Sequence, residues 1–142
     1  MIRKVFRADL LLVIGADMEI GWLPALLQSA RNARVQPGNA GYLDLSNAVP
    51  MLGKRSGTVS RAMGDVHAKG KPHYWLDPRN GVHMAQAIAT RLGELDPEHA
   101  ADYGRRFITF ERTLNDKLPG WRAALAHLES KPVIAYHTSF IY

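Results

Sequence analysis

The apolar positions along the chain follow different spacings, which distinguish strands from helices. Residues 10–14 form a continuous apolar run that ends at Gly15, and such a run predicts a strand buried on both faces of a parallel sheet. In residues 22–31 apolar side chains recur every three or four positions, which predicts a helix. Residues 35–49 are rich in Gly, Asn and Pro and are predicted to be mostly loop.

Two Asp-Pro pairs introduce helices in the second half of the chain. In Asp77-Pro78 the Asp is a good N-cap and the Pro suits the first turn. Asp96-Pro97 repeats the pair, and apolar residues then recur at helical spacing for about 30 residues. This pattern predicts a long helix, kinked or broken at Pro119-Gly120. It is either a core helix or a rigid strut between two lobes.

The chain also reads as a piece of a longer protein. Residues 133–136 are β-branched, apolar or aromatic and follow a proline, which predicts a buried strand. Such a strand needs a following helix and more sheet, and the chain stops shortly after it. We therefore expect a fragment.

Composition narrows the classes of function. The chain has 142 residues and no cysteine, which excludes disulfides, thiolate metal sites and cysteine nucleophiles. Its 18 Lys and Arg against 13 Asp and Glu give a net charge of +5, but the basic residues are scattered, so we expect no nucleic-acid interface. No apolar run approaches the roughly 20 residues of a membrane span. The N-terminus also lacks the apolar region of a signal peptide.

Histidine is the residue type that could carry chemistry here. Of the six, three fall on predicted helices and are expected at the surface: His83, His99 and His127. His67 lies in residues 51–71, a glycine-rich stretch predicted to be a surface loop, where a mobile imidazole could help to capture an ion.

His73 and His137 are the stronger candidates. His73 lies between Pro72 and the aromatic pair Tyr74-Trp75, so a stiff segment with apolar shelter presents its ring, as suits a metal ligand. His137 follows the predicted strand at residues 133–136, and ligands of open α/β sheets bind beyond the carboxyl ends of strands. From these residues alone, a ligand role and a structural role both stay open.

Enzymatic chemistry is poorly supported. Ser139 lies two residues from His137 but is not part of a GxSxG elbow. The chain contains no HExxH pair, no carboxylate cluster and no phosphate-binding glycine loop. We therefore expect no enzyme.

Four motifs in order give the chain a resemblance to a known family. They are RADLLLVIG at residues 7–15 (with Glu19 and Trp22-Leu23 after it), PHYWLDP at 72–78, DPEHAADY at 96–103 and YHTSFIY at 136–142. With these motifs the chain resembles the metal-binding, zinc and manganese type solute-binding proteins of bacterial ABC transporters.

The resemblance implies an α/β fold with two lobes, parallel sheets and one long connecting helix, here truncated at both ends. Residues 1–95 would be the later part of the first lobe, residues 96–130 the connecting helix, and residues 131–142 the first strand of the second lobe. The missing signal peptide is then uninformative, and a periplasmic location is expected.

The resemblance also implies the site and its cargo. His73 matches the second metal ligand of the family and His137 the third, whereas the first His and the acidic ligand have no counterpart in this chain. His67 stands where zinc-type members often carry a His-rich loop, of which this chain has a single His, and it would be an accessory metal residue. The expected cargo is zinc, with manganese as the alternative, and the expected partner is an ABC permease. Binding should weaken below about pH 6, because protons compete for the imidazoles.

Three other hypotheses remain. In the first, the chain is a structural or interaction domain that dimerises through its long aromatic helix and has no metal role. A homodimer could also form in the family interpretation, because truncation exposes apolar surface. The other two are a zinc hydrolase, which requires turnover that a chelator abolishes, and a nucleic-acid binder, which requires steep salt dependence.

Overall fold

The computed structural model describes residues 1–54, 70–135 and 140–142. Its helices and strands are α1 (Ile2–Phe6), β1 (Leu11–Val13), α2 (Leu23–Ala30), β2 (Tyr42–Asp44), α3 (Pro78–Leu95) and α4 (Ala100–Leu125). Short 3₁₀ helices lie between or after them, at Ala33–Val35, Leu45–Ala48, Tyr74–Leu76, Pro97–His99 and Ala126–Leu128.

The two strands form a parallel pair. Leu11 is opposite Tyr42 and Val13 is opposite Asp44, so the carboxyl ends of both strands meet at one edge. The parallel sheet and the α/β class agree with the prediction. Two lobes, however, are not evident in the part of the chain that the structure describes.

Each strand differs from the sequence expectation, β1 in its burial and β2 in its location. Strand β1 forms where predicted, but Leu12 is 42% exposed, so burial on both faces was wrong. Among the described residues the sheet has two strands, and the Leu12 side chain is left partly open to solvent. Strand β2 falls within residues 35–49, which were predicted to be mostly loop. Three residues carry no usable periodicity, and pairing with β1 decides their conformation.

Helix α2 forms where the apolar spacing predicted it. Its buried side chains, Leu23, Leu27 and Ala30, lie on one face and pack against Val5, Val13 and Val35. The helix ends at Arg31, which adopts a left-handed conformation with φ of 51°. This cluster is the core on one side of β1.

A second apolar cluster lies beside the ends of the strands. Leu45, Val49 and Tyr74 are its buried members, and the partly buried side chains around it are Ile14, Leu43, Met51, Met84, Ile88 and Tyr142. It joins the β2 end of the sheet to α3. The segment that carries His73 therefore belongs to the core.

Helices α3 and α4 pack against each other. Helix α3 starts as predicted, with the Asp77 carboxylate accepting a hydrogen bond from the Arg79 N–H at 2.8 Å. Helix α4 continues through Pro119 to Leu125, so a break at this proline was wrong, whereas the kink that was predicted as the other outcome stays a prediction. Pro119 is exposed, and water can satisfy the carbonyl that loses its amide partner.

The second Asp-Pro pair behaves differently from the first. The Asp96 side chain makes no capping hydrogen bond. This is contrary to the expectation that Asp96, like Asp77, caps the helix that follows it. Its carboxylate instead accepts a hydrogen bond from the Tyr103 hydroxyl at 2.7 Å and lies 2.9 Å from Nδ1 of His99. These two contacts, with His99 and then Tyr103, lower the pKa of Asp96.

Residues 131–135, which follow the last 3₁₀ helix, are open to solvent. Residues 131–135 form no strand, and Ile134 is 99% exposed, so a buried strand was wrong for residues 133–135. Neither β1 nor β2 pairs with these residues, so their backbone groups have no ladder partner in the described part of the chain; residue 136 lies outside the described residues. Several apolar side chains of α4 are also exposed: Ile108, Phe110, Trp121 and Leu125. No described helix is both long and apolar enough to cross a membrane.

Candidate functional site

His73 lies on a short turn between two buried residues. Pro72 before it and Tyr74 after it are both fully buried, whereas His73 itself is half-buried. Its ring meets Trp75 edge to face, with ring centroids 5.3 Å apart. The His73 carbonyl accepts a hydrogen bond from the Leu76 N–H at 3.1 Å. The backbone on both sides of this imidazole is therefore held in place.

Tyr74 anchors this turn to the sheet. Its hydroxyl donates a hydrogen bond of 2.6 Å to the carbonyl oxygen of Ile14, just beyond β1. Its own carbonyl accepts a hydrogen bond from Nδ2 of the buried Asn80 at 2.8 Å. Burial, together with the nearby carboxylates of Asp44 and Glu19, raises the pKa of the Tyr74 phenol. The hydroxyl therefore stays protonated and remains a donor at neutral pH.

Glu19 holds the same peptide from the other side. Its carboxylate accepts hydrogen bonds from the Ile14 N–H at 2.7 Å and from the Gly15 N–H at 3.0 Å. Two amide donors offset the cost of burying this charge. Glu19 accepts a hydrogen bond from the Ile14 N–H, and Tyr74 donates one to the Ile14 carbonyl. The end of β1 and the His73 turn are therefore fixed relative to each other.

Asp44 completes the polar edge at the end of β2. Its carboxylate accepts hydrogen bonds from the N–H and the hydroxyl of Ser46, at 3.0 and 2.6 Å. Gly15 passes directly beside it with φ of +74°, and a Cβ at that position would collide with the Asp44 carboxylate. Glycine is required there both for the conformation and for the space.

An open cavity of about 470 Å³ lies beside this polar edge. Glu19, Tyr42 and Asp44 supply polar groups to it, and Leu23 and Leu27 of α2 supply apolar ones. Burial and the carboxylates of Asp44 and Glu19 raise the pKa of Tyr42. His73 is not among the described residues that line this cavity, so the cavity and the proposed ligand are separate features.

The other predicted site residues cannot be placed in this arrangement. His67 and His137 lie outside the described residues, which end at Lys54 and Ala135 and resume at Gly70 and Phe140. Within the described ranges no three His, Asp or Glu side chains gather as a metal-binding group. Three histidines predicted at the surface are exposed, as expected: His83, His99 and His127.

Sequence reasoning missed the groups that support the His73 turn. Glu19 entered only as part of a motif, and Asp44 lay in a predicted loop. A carboxylate five residues after the apolar run at residues 10–14 could have been noticed as a potential acceptor for free amides at the strand end. No local pattern pairs Tyr74 with Ile14, since 60 residues separate them.

Comparison with known proteins gives a match along the whole chain. Residues 1–142 match the family model described as ZnuA, zinc-uptake complex component A periplasmic. The high-affinity zinc uptake system protein ZnuA of Brucella abortus is 40% identical over 70 residues, which are 49% of this chain and 21% of that protein.

Two streptococcal relatives extend the comparison. The manganese ABC transporter substrate-binding lipoprotein scaA of Streptococcus gordonii is 32% identical over 107 residues, covering 72% of this chain and 30% of that protein. The metal ABC transporter substrate-binding lipoprotein SloC of Streptococcus mutans is 25% identical over 148 residues, covering 99% of this chain and 44% of that protein. The chain thus spans less than half the length of these relatives. No solved structure matches it significantly.

Proposed function

The chain belongs to the zinc-uptake complex component A family, and on that premise we propose that it captures a divalent metal ion for delivery to an ABC permease. The observation that carries this proposal is the family match along residues 1–142, in which His73 occupies a turn held by buried neighbours. Relatives named for zinc, for manganese and for metal transport support metal as the cargo. Their names place them in transport systems, which supports binding and release rather than catalysis.

We further propose zinc as the metal and His73 with His137 as two of its ligands. Neutral imidazole nitrogens bind zinc well, whereas manganese prefers a shell richer in carboxylate oxygens. His67 would act as an accessory residue that binds the ion before it reaches the main site. Manganese remains the alternative, because one of the relatives is named for it.

The architecture proposed for the whole protein follows the same family. Residues 1–95 belong to a first lobe, residues 96–130 form a connecting helix and residues 131–142 begin a second lobe. The exposed apolar side chains of α4, such as Ile108 and Trp121, support this arrangement because further protein would cover them. The protein works outside the cytoplasmic membrane. Nothing in the comparisons supports a homodimer.

The test is a competition titration of zinc against a chromophoric chelator. The wild type is compared with the double variant His73→Ala, His137→Ala, and with a control in which the exposed His83 and His127 are both changed to Ala. We expect one zinc per chain for the wild type and the control, and a loss of at least tenfold in affinity for the double variant, because imidazole ligands are removed. Equal affinity in all three proteins would exclude His73 and His137 as ligands.

A parallel titration with manganese decides between the metals. A site that contains both imidazoles should hold zinc more tightly than manganese, in line with the general order of divalent metal affinities. Tighter manganese binding at equal occupancy would overturn the assignment of zinc while leaving metal capture in place.

A further inference from the structure

Trp75 meets the ring of His73 through an aromatic contact. The two ring centroids lie 5.3 Å apart, and the ring planes are inclined to each other by 79°. This is the edge-to-face arrangement that aromatic pairs prefer, at a favourable separation. Such a contact favours one angle between the rings as well as one distance. The orientation of the His73 imidazole is therefore coupled to the position of the Trp75 indole.

The indole of Trp75 itself rests on a rigid support. It makes a second edge-to-face contact with the ring of Tyr74, with centroids 5.9 Å apart and planes inclined by 75°. Tyr74 is fully buried, its hydroxyl donates a hydrogen bond to the Ile14 carbonyl, and its own carbonyl accepts one from Asn80. The indole thus lies between a ring that the core holds in place and the ring of His73.

The backbone of the turn does not by itself decide where the imidazole points. A histidine side chain has three staggered positions about χ1 and about two orientations about χ2, so a ring on a fixed backbone can adopt about six arrangements. Only an arrangement that directs a ring nitrogen at the ion can bind it. Apparent affinity falls with the fraction of molecules that are ready to bind. A neighbouring ring that excludes some arrangements therefore changes metal affinity without touching the ion.

We propose that Trp75 is a positioning residue for metal capture, whose indole holds the His73 imidazole in a narrow range of orientations. This inference rests on the proposed function, in which His73 is a metal ligand. Trp75 is not itself a ligand, because its indole nitrogen is a hydrogen-bond donor only. It acts through His73, by raising the fraction of molecules in which that ring is already oriented to bind.

Removal of the indole should weaken zinc binding to the whole chain. Trp75→Leu keeps an apolar side chain but removes the flat ring, and we expect about threefold to sixfold weaker zinc affinity in the chelator titration, since up to about six arrangements become accessible. Trp75→Phe restores an aromatic ring and should recover most of the affinity. Trp22→Leu is the matched control, because Trp22 is also partly exposed and lies at the start of α2. This control should bind zinc as the wild type does.

Two measurements separate positioning from general damage. Trp75 is 38% exposed and is not among the described members of either apolar cluster, so metal-free Trp75→Leu should unfold cooperatively, as the wild type does. In the background of His73→Ala, Trp75→Leu should lose its effect on zinc affinity, because the ring that it orients is gone. A merely structural role would give the same fold-loss in both backgrounds.

Tryptophan fluorescence adds a readout that a merely structural role would not move. The chain has three Trp, so a variant with Trp22→Phe and Trp121→Phe leaves Trp75 as the single emitter. Zinc has a filled d shell and no redox chemistry, so a change in emission reports a change around the indole. We expect the emission to change with the same midpoint as the chelator titration, and the change to disappear when His73→Ala is added. Should Trp75→Leu fail to fold, this measurement decides alone.

Each outcome bears on a definite claim. If the wild type binds zinc and Trp75→Leu binds it equally well, or if the Trp75 emission ignores zinc, the positioning role is wrong and the proposed function stands. The positioning role is also wrong if Trp75→Leu weakens binding equally with and without His73, or if Trp75→Phe restores nothing. If the wild type binds no zinc in the chelator titration, the proposed function fails and this inference fails with it.

Discussion

The Tyr74 hydroxyl donates a hydrogen bond of 2.6 Å to the carbonyl oxygen of Ile14, across 60 residues of sequence. This bond connects the turn that carries His73 to the end of β1, and Tyr74 is fully buried. The position of the proposed ligand is therefore set from inside the core. The first prediction tests this connection.

Tyr74→Phe should lower the free energy of unfolding by about 1–3 kcal/mol, because a partly buried carbonyl is left without its donor. Urea unfolding monitored by circular dichroism measures the difference. Tyr103→Phe provides the comparison, since the Tyr103 hydroxyl bonds a carboxylate near the surface, where water can replace it. A loss for Tyr74→Phe no larger than for Tyr103→Phe would contradict the anchoring role.

Glu19→Gln should also destabilise the protein, by about 1–3 kcal/mol. The carboxylate accepts two amide hydrogen bonds, and a glutamine offers one oxygen and an NH₂ group that would face an N–H. Chemical denaturation provides the measurement. The control is Glu98→Gln on an exposed 3₁₀ turn, expected to stay within about 0.5 kcal/mol of the wild type. Similar values for both variants would show that the Glu19 contacts do not contribute.

Gly15→Ala, just beyond the end of β1, should lower the free energy of unfolding. It adds a Cβ that collides with the Asp44 carboxylate, at a residue with φ of +74°, and we expect a loss of about 2 kcal/mol or more from these two effects together. The midpoint of thermal unfolding is the readout.

Gly104→Ala is the matched change in an open position. Gly104 lies within α4, and a Cβ there meets no atom within 4 Å, so alanine should stabilise the helix by up to about 1 kcal/mol. The two substitutions must therefore move stability in opposite directions. A stabilising Gly15→Ala would mean that Gly15 and Asp44 are not close in the folded protein.

Asp77→Ala should remove the N-cap of α3 and lower the free energy of unfolding at pH 7 by about 1 kcal/mol. Asp77→Asn should retain most of that stability, because asparagine is an equally good cap. Denaturant unfolding of the three proteins measures both effects. Equal loss in the two variants would contradict a capping role and indicate that the ion pair with Arg79 matters instead.

The effect of Asp77 should also depend on pH in a definite direction. The hydrogen bond from the Arg79 side chain lowers the pKa of Asp77 below its usual value of 3.8. A depressed folded-state pKa gives stability that is present above about pH 4 and is lost as the pH falls through the folded-state value. The difference between wild type and Asp77→Ala should therefore shrink on acidification below about pH 4, and a difference that grows would contradict the assignment.

Local signals in the sequence were sufficient for several features. The apolar spacing predicted α2, the Asp77-Pro78 pair predicted the start of α3, and the apolar run at residues 10–14 located β1. The motif around His73 indicated a stiff segment, and the ordered motifs indicated the family that residues 1–142 match. Caps, turns and periodicity act within a few residues, which is why they can be read from the chain directly.

Tertiary structure decided what these signals could not. Strand β2 exists because it pairs with β1, and Asp96 bonds Tyr103 and His99 instead of capping α4. The hydrogen bond from Tyr74 to Ile14 joins residues 60 positions apart in sequence, and the one from Leu52 to Tyr142 joins residues 90 positions apart. Such pairs depend on how helices and strands pack, and packing is a property of the whole fold. The sequence by itself therefore determined helices α2, α3 and α4, the first strand and the candidate histidine at 73, while only the folded chain determined which side chains hold that histidine in place.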